Sequence, residues 1–430
     1  LFVFLYNIFL LLFRAGTHIA SLFNPKAKKW VRGRHHIFEK LEAAIPKDDK
    51  IIWMHCASLG EFEQGRPVLE KLKGKNTAHK VLLTFFSPSG YEVQKNYSGA
   101  DWVFYLPMDG SRNARRFLEI VHPSLVIFVK YEFWYYYLKK ISYREIPFIL
   151  ISAVFRKEMR SFKWLGELQL KMLSRFNHIF LQNESSKQML DELGAAKNYS
   201  VAGDTRFDRV IEIADNFKSI ESIEKFCDGK KVLVAGSTWS EDEAILSAIT
   251  ETLASNDMKL IIAPHEIHNS HIQDLKLLFP KAILFSELKT ANQQPNYDKS
   301  LLGRPITSNQ LIIDNVGMLS RLYHYADICF VGGGFKQMGV HNVTEAAVYG
   351  KPVLMGPFIS KYREAVELVK TGGGSVVNNA EELNKVITEL LDDKTKYHLS
   401  GEASFKYIRE NAGAVNKILS YIQVNRLLTN

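Results

Sequence analysis

From Ile51 onward, short apolar runs alternate with amphipathic stretches. The runs Ile51–Cys56, Lys80–Phe86, Trp102–Leu106, Leu125–Lys130, Phe148–Ser152 and His178–Gln182 have the length and composition of buried strands. Between them, Glu63–Lys73, Asn113–Val121 and Lys187–Leu193 read as helices. Alternation at this spacing predicts βαβ units and a mainly parallel sheet. The rhythm then restarts, with Lys231–Ala235, Lys259–Ala263, Ala282–Phe285, Gln310–Ile313, Ile328–Val331 and Pro352–Met355 as a second strand series. Gly203–Val210 and the polar stretch to Lys230 mark the boundary, and Lys289–Asn309 reads as a long polar loop. The expected class is α/β, with two Rossmann-like parallel-sheet domains whose strand carboxyl ends meet ligand.

The first residues follow another pattern. Leu1–Phe13 is apolar apart from Asn7, and Lys26, Lys28, Lys29, Arg32 and Arg34 follow as a basic cluster. At ~1.5 Å per residue the apolar run spans roughly 20 Å, short of a ~30 Å hydrocarbon core. The basic flank suits an anionic cytoplasmic leaflet. Residues 1–30 are therefore expected to be a membrane anchor with its basic flank, spanning the bilayer or lying in its interface. An ordinary buried helix is the alternative. Residues 31–208 and 209–430 are then the two Rossmann-like domains.

Length and composition narrow the picture further. A chain of 430 residues is long enough for more than one core. Its 46% hydrophobic and 23% charged residues exclude a largely disordered protein. Lys and Arg number 55 against 46 Asp and Glu, a net charge of +9 that favours anionic partners. Cys56, Cys227 and Cys329 are far apart and form no CxxC pair, so neither a disulfide framework nor a zinc site is expected.

In a doubly wound fold the informative residues come just after the strands. The first strand runs into Ala57-Ser58-Leu59-Gly60-Glu61 and a helix. A carboxylate delivered there could take a proton from a hydroxyl, or simply complement the helix dipole. Glu132, between aromatics in Tyr131-Glu132-Phe133-Trp134, either is paired structurally or faces ligand, because an unpaired buried carboxylate is costly. In the second half, Gly236-Ser237-Thr238 suits phosphate contact or plain capping. His265 follows Pro264 at another strand end. The segment Phe330–Pro357 places three glycines after a strand, then His341 and Asn342 at a helix start with Glu345 in the first turn. Together these suit a nucleotide-sugar site, with backbone close to ligand and a carboxylate for ribose hydroxyls.

With those residues in place, the sequence resembles the family of bacterial transferases that add Kdo (3-deoxy-D-manno-octulosonic acid) to lipid A precursors. The resemblance is carried in order by His55–Glu61, Thr84–Gly90, Tyr105–Asp109, Tyr131–Trp134, Gly203–Asp208, Ala235–Thr238 and His341–Pro357. It implies the two-domain GT-B fold, with a central cleft, and inverting transfer from CMP-Kdo to a lipid A precursor. It implies Glu61 as proton acceptor, with Glu132 and Arg206 stabilising the transition state. It implies donor contacts at Pro264 and His265, at Val316, Gly317 and Met318, and at Asn342, Val343, Thr344 and Glu345. Neither a cofactor nor a divalent metal is implied. The protein would work at the cytoplasmic face of the inner membrane, against an anionic surface.

The chain departs from the family pattern at several points. Arg206 stands where Lys is usual before Phe-Asp, and Pro264-His265-Glu266 replaces Pro-Arg-His. Lys130 stands in place of a Glu, and no proline follows Trp134. Arg112, Arg115 and Arg116 could meet acceptor phosphates or form a solvated face. Phe155, Phe162, Trp164 and Leu165, mixed with Arg156, Lys157, Arg160 and Lys163, suit a lipid-facing surface or an amphipathic helix. The competing functions are another GT-B transferase using a UDP-sugar and a non-catalytic, membrane-tethered nucleotide-sugar sensor. Nucleic acid is not expected as a partner, since no recognised motif accompanies the charge.

Overall fold

The computed structural model describes residues 2–75, 77–155, 170–195, 198–293 and 308–428. The chain divides into two compact units, Leu1–Asp208 with Ala412–Asn430, and Arg209–Asn411. The first holds a seven-stranded sheet of β1 Lys50–Cys56, β2 His79–Phe85, β3 Trp102–Tyr105, β4 Pro123–Val129, β5 Phe148–Ala153, β6 His178–Leu181 and β7 Tyr199–Val201. Every pairing is parallel, in the order β3-β2-β1-β4-β5-β6-β7. The second holds β8 Lys231–Thr238, β9 Met258–Pro264, β10 Ile283–Leu284, β11 Gln310–Ile312, β12 Ile328–Val331, β13 Val353–Met355 and β14 Gly374–Val376. Its order is β10-β11-β9-β8-β12-β13-β14, again all parallel.

The predicted strands match those observed to within three residues at either end, except where the apolar signal is short. β7 and β14 have three residues each and escape the reading. The run Ala282–Phe285 contributes only a two-residue strand, and Phe285 opens a helix to Gln293. That helix occupies the start of the expected Lys289–Asn309 loop, of which residues 294–307 lie outside the described residues.

Both faces of the first sheet are covered, as crossover helices require. On one face Trp53, Phe117, Phe128, Tyr137 and Phe148 share a core; on the other Ile52, Met54, Val68, Leu69 and Phe85 do. The second face is completed by the helix Ala414–Val424, which buries Ala414, Val415, Ile418, Leu419 and Ile422 at helical spacing. Asp208 accepts the Gly413 N–H at 3.0 Å, and Lys417 Nζ donates to the Ala202 carbonyl at 3.1 Å. The sequence reading assigned these residues to the second domain, 209–430. Periodicity identifies an apolar helix face but not the sheet that covers it, and the structure places Ala412–Asn430 with the first unit.

The apolar N-terminal run forms the helix Phe2–Ala20, long and apolar enough to cross a membrane. One side is seated on the first unit. Tyr6 donates to Asp109 at 2.7 Å, Tyr136 donates to Asn7 at 2.8 Å, and the Phe13 ring meets Trp30 and Phe86. Phe4, Phe9, Leu11, Leu12 and Ile19 are exposed, and so are Leu22 and Phe23 just beyond. In the basic flank Lys26, Lys28, Lys29 and Arg32 are exposed, but Arg34 is not a surface charge. Its guanidinium donates to the carbonyls of Leu106, Trp30 and Phe86 and lies over the Trp30 ring at 3.9 Å. Burial lowers its pKa to about 9. Arg34 thus clasps the N-terminal helices to the loops after β2 and β3, instead of joining the surface cluster expected for it.

Candidate active site

Each sheet has one place where the chain turns from one wing to the other, between β1 and β4 in the first and between β8 and β12 in the second. Such switch points open a crevice beyond the strand ends. In the first unit that crevice receives two carboxylates. β1 leads into the helix Leu59–Lys75, with Glu61 in its first turn. The helix lies close on the sheet because residue 65 is glycine: a Cβ there would meet Met54 Sδ at 2.8 Å. Thr205 donates to the Gln64 carbonyl at 2.6 Å, pinning the same turn from the segment that carries Arg206.

Glu61 is half-buried and accepts the Ala57 N–H at 2.5 Å. Burial raises its pKa to about 7, and the Glu132 carboxylate adds to the rise; the Ala57 N–H and Lys130 oppose it. Glu132 follows β4, is buried, accepts from the Trp134 indole N–H at 2.5 Å and lies 3.0 Å from His55 Nε2. Lys130, just before it, adopts φ 72°, a left-handed conformation that turns the chain sharply out of the strand. Arg206 lies in the first turn of the helix Thr205–Asp215, and its Nε and Nη2 both donate to Asp204, at 3.0 and 2.7 Å. The structure therefore brings Glu61 and Glu132 into electrostatic contact and holds Arg206 through Asp204.

The second switch point is built from rings and glycines. Trp239 follows β8, His265 follows β9, and His341 follows the turn after β12. The three rings stack, with centroids 4.7 Å apart for Trp239–His265 and 4.4 Å for His265–His341. Trp239 Nε1 donates to His341 Nε2 at 2.8 Å, which puts the proton of a neutral His341 on Nδ1. Burial and the neighbouring His265 lower the His341 pKa to about 4, so the ring is neutral. Lys336 Nζ sits 3.9 Å from the Trp239 ring centroid and supplies a cation here. Asp242 accepts the N–H groups of Gly333 and Trp239 at 2.8 and 2.9 Å, tying the two loops together.

The glycine run is set by the close packing of the chain on itself. A Cβ on Gly332 would lie 2.4 Å from the Ser237 carbonyl, and one on Gly334 would lie 2.6 Å from the Gly356 N. Gly332 and Gly334 are needed because three strand-end loops pack backbone to backbone, with no ligand required to explain them. Beside them, Asn342 donates to Glu345 at 2.9 Å and accepts from the Thr344 hydroxyl at 2.6 Å, while Val343 and Thr344 are buried. Val316 is 79% exposed, Gly317 adopts φ 86°, and Met318 is buried with its sulfur 3.0 Å from Asn315 Nδ2. Pro264 ends β9, half-buried, at the foot of the ring stack.

Other expectations resolve plainly. Arg116 pairs with Glu42 at 3.1 Å, Arg115 lies 3.8 Å from Glu119, and Arg112 is exposed, so this cluster is largely a solvated face. Phe155 is buried, and the remaining aromatic and basic residues named beyond it, 156–165, lie outside the described residues. Sequence reading gave no role to His55, Thr84, Trp239, Lys336 or Asp242. His55 had left a signal, a polar residue inside an apolar strand. Trp239 and Lys336 had not, because a stack drawn from separate loops leaves no spacing to read.

Two all-parallel Rossmann-like units with polar residues gathered at their switch points make up a fold of the GT-B type. Residues 32–209 match the family described as 3-deoxy-D-manno-octulosonic-acid transferase (kdotransferase). The 3-deoxy-D-manno-octulosonic acid transferase of Aquifex aeolicus (strain VF5) is 32% identical over 83% of this chain and 92% of its own length. The Haemophilus influenzae enzyme of the same name is 26% identical over 94% of this chain and 93% of its own. The chain belongs to the 3-deoxy-D-manno-octulosonic acid transferase family. Its fold is also similar to that of a UDP-GlcNAc 2-epimerase from Neisseria meningitidis solved with UDP-GlcNAc. That likeness has a TM-score of 0.58 and 17% identity, over 87% of this chain and all of the other.

Proposed function

We propose that the chain transfers Kdo from CMP-Kdo to a lipid A precursor of the lipid IVA type, in lipopolysaccharide core synthesis, with Glu61 as general base. The observation that carries this reading is Glu61 itself, a carboxylate in a helix first turn at the switch point, poised near neutrality by burial and by Glu132. In the proposed step, Glu61 takes the proton of the acceptor hydroxyl as its oxygen attacks the anomeric carbon. The bond from that carbon to the phosphate oxygen breaks, CMP leaves with the bonding electrons, and the configuration inverts. Arg206, oriented by Asp204, balances negative charge on the donor. Donor contacts are assigned to Pro264, His265, Val316–Met318 and Asn342–Glu345, with Lys336 supplying the positive charge that Pro264-His265-Glu266 lacks. The step as written needs no metal.

The exposed apolar side of Phe2–Ala20, continued by Leu22 and Phe23 and flanked by Lys26, Lys28 and Lys29, supports membrane attachment. With its other side seated on the first unit, the helix suits lying in the interface of the cytoplasmic leaflet. Full-length protein in detergent, incubated with CMP-Kdo and a lipid A precursor, should release CMP and extend the lipid by the mass of Kdo, with or without EDTA. Absence of both products would refute the transfer, and loss in EDTA would refute the metal-free step. Thermal shifts should favour CMP over UDP; the reverse would point to a UDP-sugar donor. Donor binding without turnover would indicate a sensor.

A further inference from the structure

His55 is the next-to-last residue of β1, fully buried, directly opposite Thr84 of β2. Trp53, two residues earlier, is on the same face of the strand. Trp53 Nε1 is 2.8 Å from Thr84 Oγ1, which is 2.9 Å from His55 Nδ1, and His55 Nε2 is 3.0 Å from Glu132 Oε2. An indole N–H can only donate, so Thr84 Oγ1 accepts from Trp53. Its own hydroxyl proton then has two acceptors, His55 Nδ1 at 2.9 Å and the Met54 carbonyl at 3.4 Å, and the shorter bond is to the ring.

The ring proton decides the rest. A neutral His55 protonated on Nδ1 would donate to the Thr84 carbonyl at 3.1 Å, leaving the Nε2 lone pair against Glu132 Oε2. Two acceptors facing each other away from water is a costly arrangement. Protonated on Nε2, every donor in the chain meets an acceptor. Glu132 Oε2 then receives two hydrogen bonds, one from His55 and one from Trp134. Together the two bonds fix the position of that carboxylate oxygen.

We infer that Trp53, Thr84 and His55 form a one-way hydrogen-bond chain that fixes the Glu132 carboxylate in place beside Glu61. They are positioning residues, acting through Glu132, and the inference rests on the reading of Glu61 as the base. Among the described residues, the charged and titratable groups that act on or are acted on by Glu61 include Glu132 and Lys130 from the end of β4 and Cys56 from the end of β1. The Cys56 thiol is itself pushed well up by burial and stays neutral, so Glu132 is the negative charge to be controlled.

Thr84→Val keeps the side-chain shape and removes the hydroxyl; Thr84→Ser keeps the hydroxyl. The test is 15N NMR of histidine-labelled full-length protein in detergent, with His55→Gln to assign the signal, alongside pH profiles of kcat/KM. Wild type and Thr84→Ser should show the neutral ring with the proton on Nε2, and Thr84→Val should move it to Nδ1. Turnover by Thr84→Val should fall about 10-fold, at the low end of the scale for an orienting partner, because Thr84 reaches Glu132 only through His55. Its acidic midpoint should move below that of wild type, because a Glu132 carboxylate no longer held by His55 can turn away from Glu61 and raise it less. A wild-type ring protonated on Nδ1, or on both nitrogens, would overturn the inference. So would a Thr84→Val enzyme with reduced turnover and an unmoved midpoint, which marks a merely structural role. The NMR arm needs no substrate, so a wild type that transfers no Kdo contradicts the proposed function without deciding this one.

Discussion

The two sheets solve the same topological problem with different chemistry. At the β1/β4 switch point the loops deliver acid: Glu61 in a helix first turn and Glu132 buried between His55 and Trp134. At the β8/β12 switch point they deliver neutral rings, a lysine and glycines packed backbone to backbone. In the acidic crevice, burial and a like charge push Glu61 up to about 7. The ring crevice is tuned the other way, with His341 held down to about 4 and hence free of charge over the working range. The two units thus share an architecture and differ in the side chains their switch points present.

Substitutions should separate the two crevices. Glu61→Gln is expected to lower kcat by about 10³-fold, within the range for a general base, with CMP-Kdo affinity unchanged by calorimetry. Trp239→Ala should do the converse, weakening donor binding about tenfold while leaving kcat at saturating donor near that of wild type. Equal effects on both parameters in both variants would erase the distinction. Gly334→Ala should destabilise by about 1–3 kcal/mol in thermal unfolding, because its Cβ would lie 2.6 Å from the Gly356 N. An unchanged melting temperature would mean the loops can part.

The smallest expected effect concerns stability and pH. An unfolded glutamate releases its proton near its ordinary pKa of 4.5, while folded Glu61 holds it to about 7. The folded state is therefore favoured at low pH, and that advantage is lost as pH rises through about 7. Glu61→Gln carries no such penalty. It should melt a few degrees above wild type at pH 8 and lose that margin at pH 5, by differential scanning fluorimetry.

Much of this fold could be read from the chain, because strands buried on both faces are written as continuous apolar runs. β1, β4, β8 and β12 carry that signal, and their ends locate Glu61, Glu132 and the glycine segment. What stayed hidden depends on partners distant in sequence. The helix Ala414–Val424 shows an apolar face but not that Ile52 and Met54 lie beneath it. Arg34 looks like one more charge in a basic cluster, and only the carbonyls of Phe86 and Leu106 make it a clasp. Gly332 and Gly334 suggested ligand approach, whereas the adjoining loops already fill the space. The ring stack joins residues 239, 265 and 341 across three loops, and no periodicity connects them.

The central claim is that a carboxylate with a pKa near neutrality accepts the acceptor's proton. It is tested most directly by the pH dependence of kcat/KM for Kdo transfer by wild type and Glu132→Gln. The account predicts a tenfold fall per pH unit below a midpoint of about 7 in wild type, and a lower midpoint once the Glu132 charge is removed. A wild-type profile flat from pH 5 to pH 8, or a midpoint indifferent to Glu132→Gln, would contradict it.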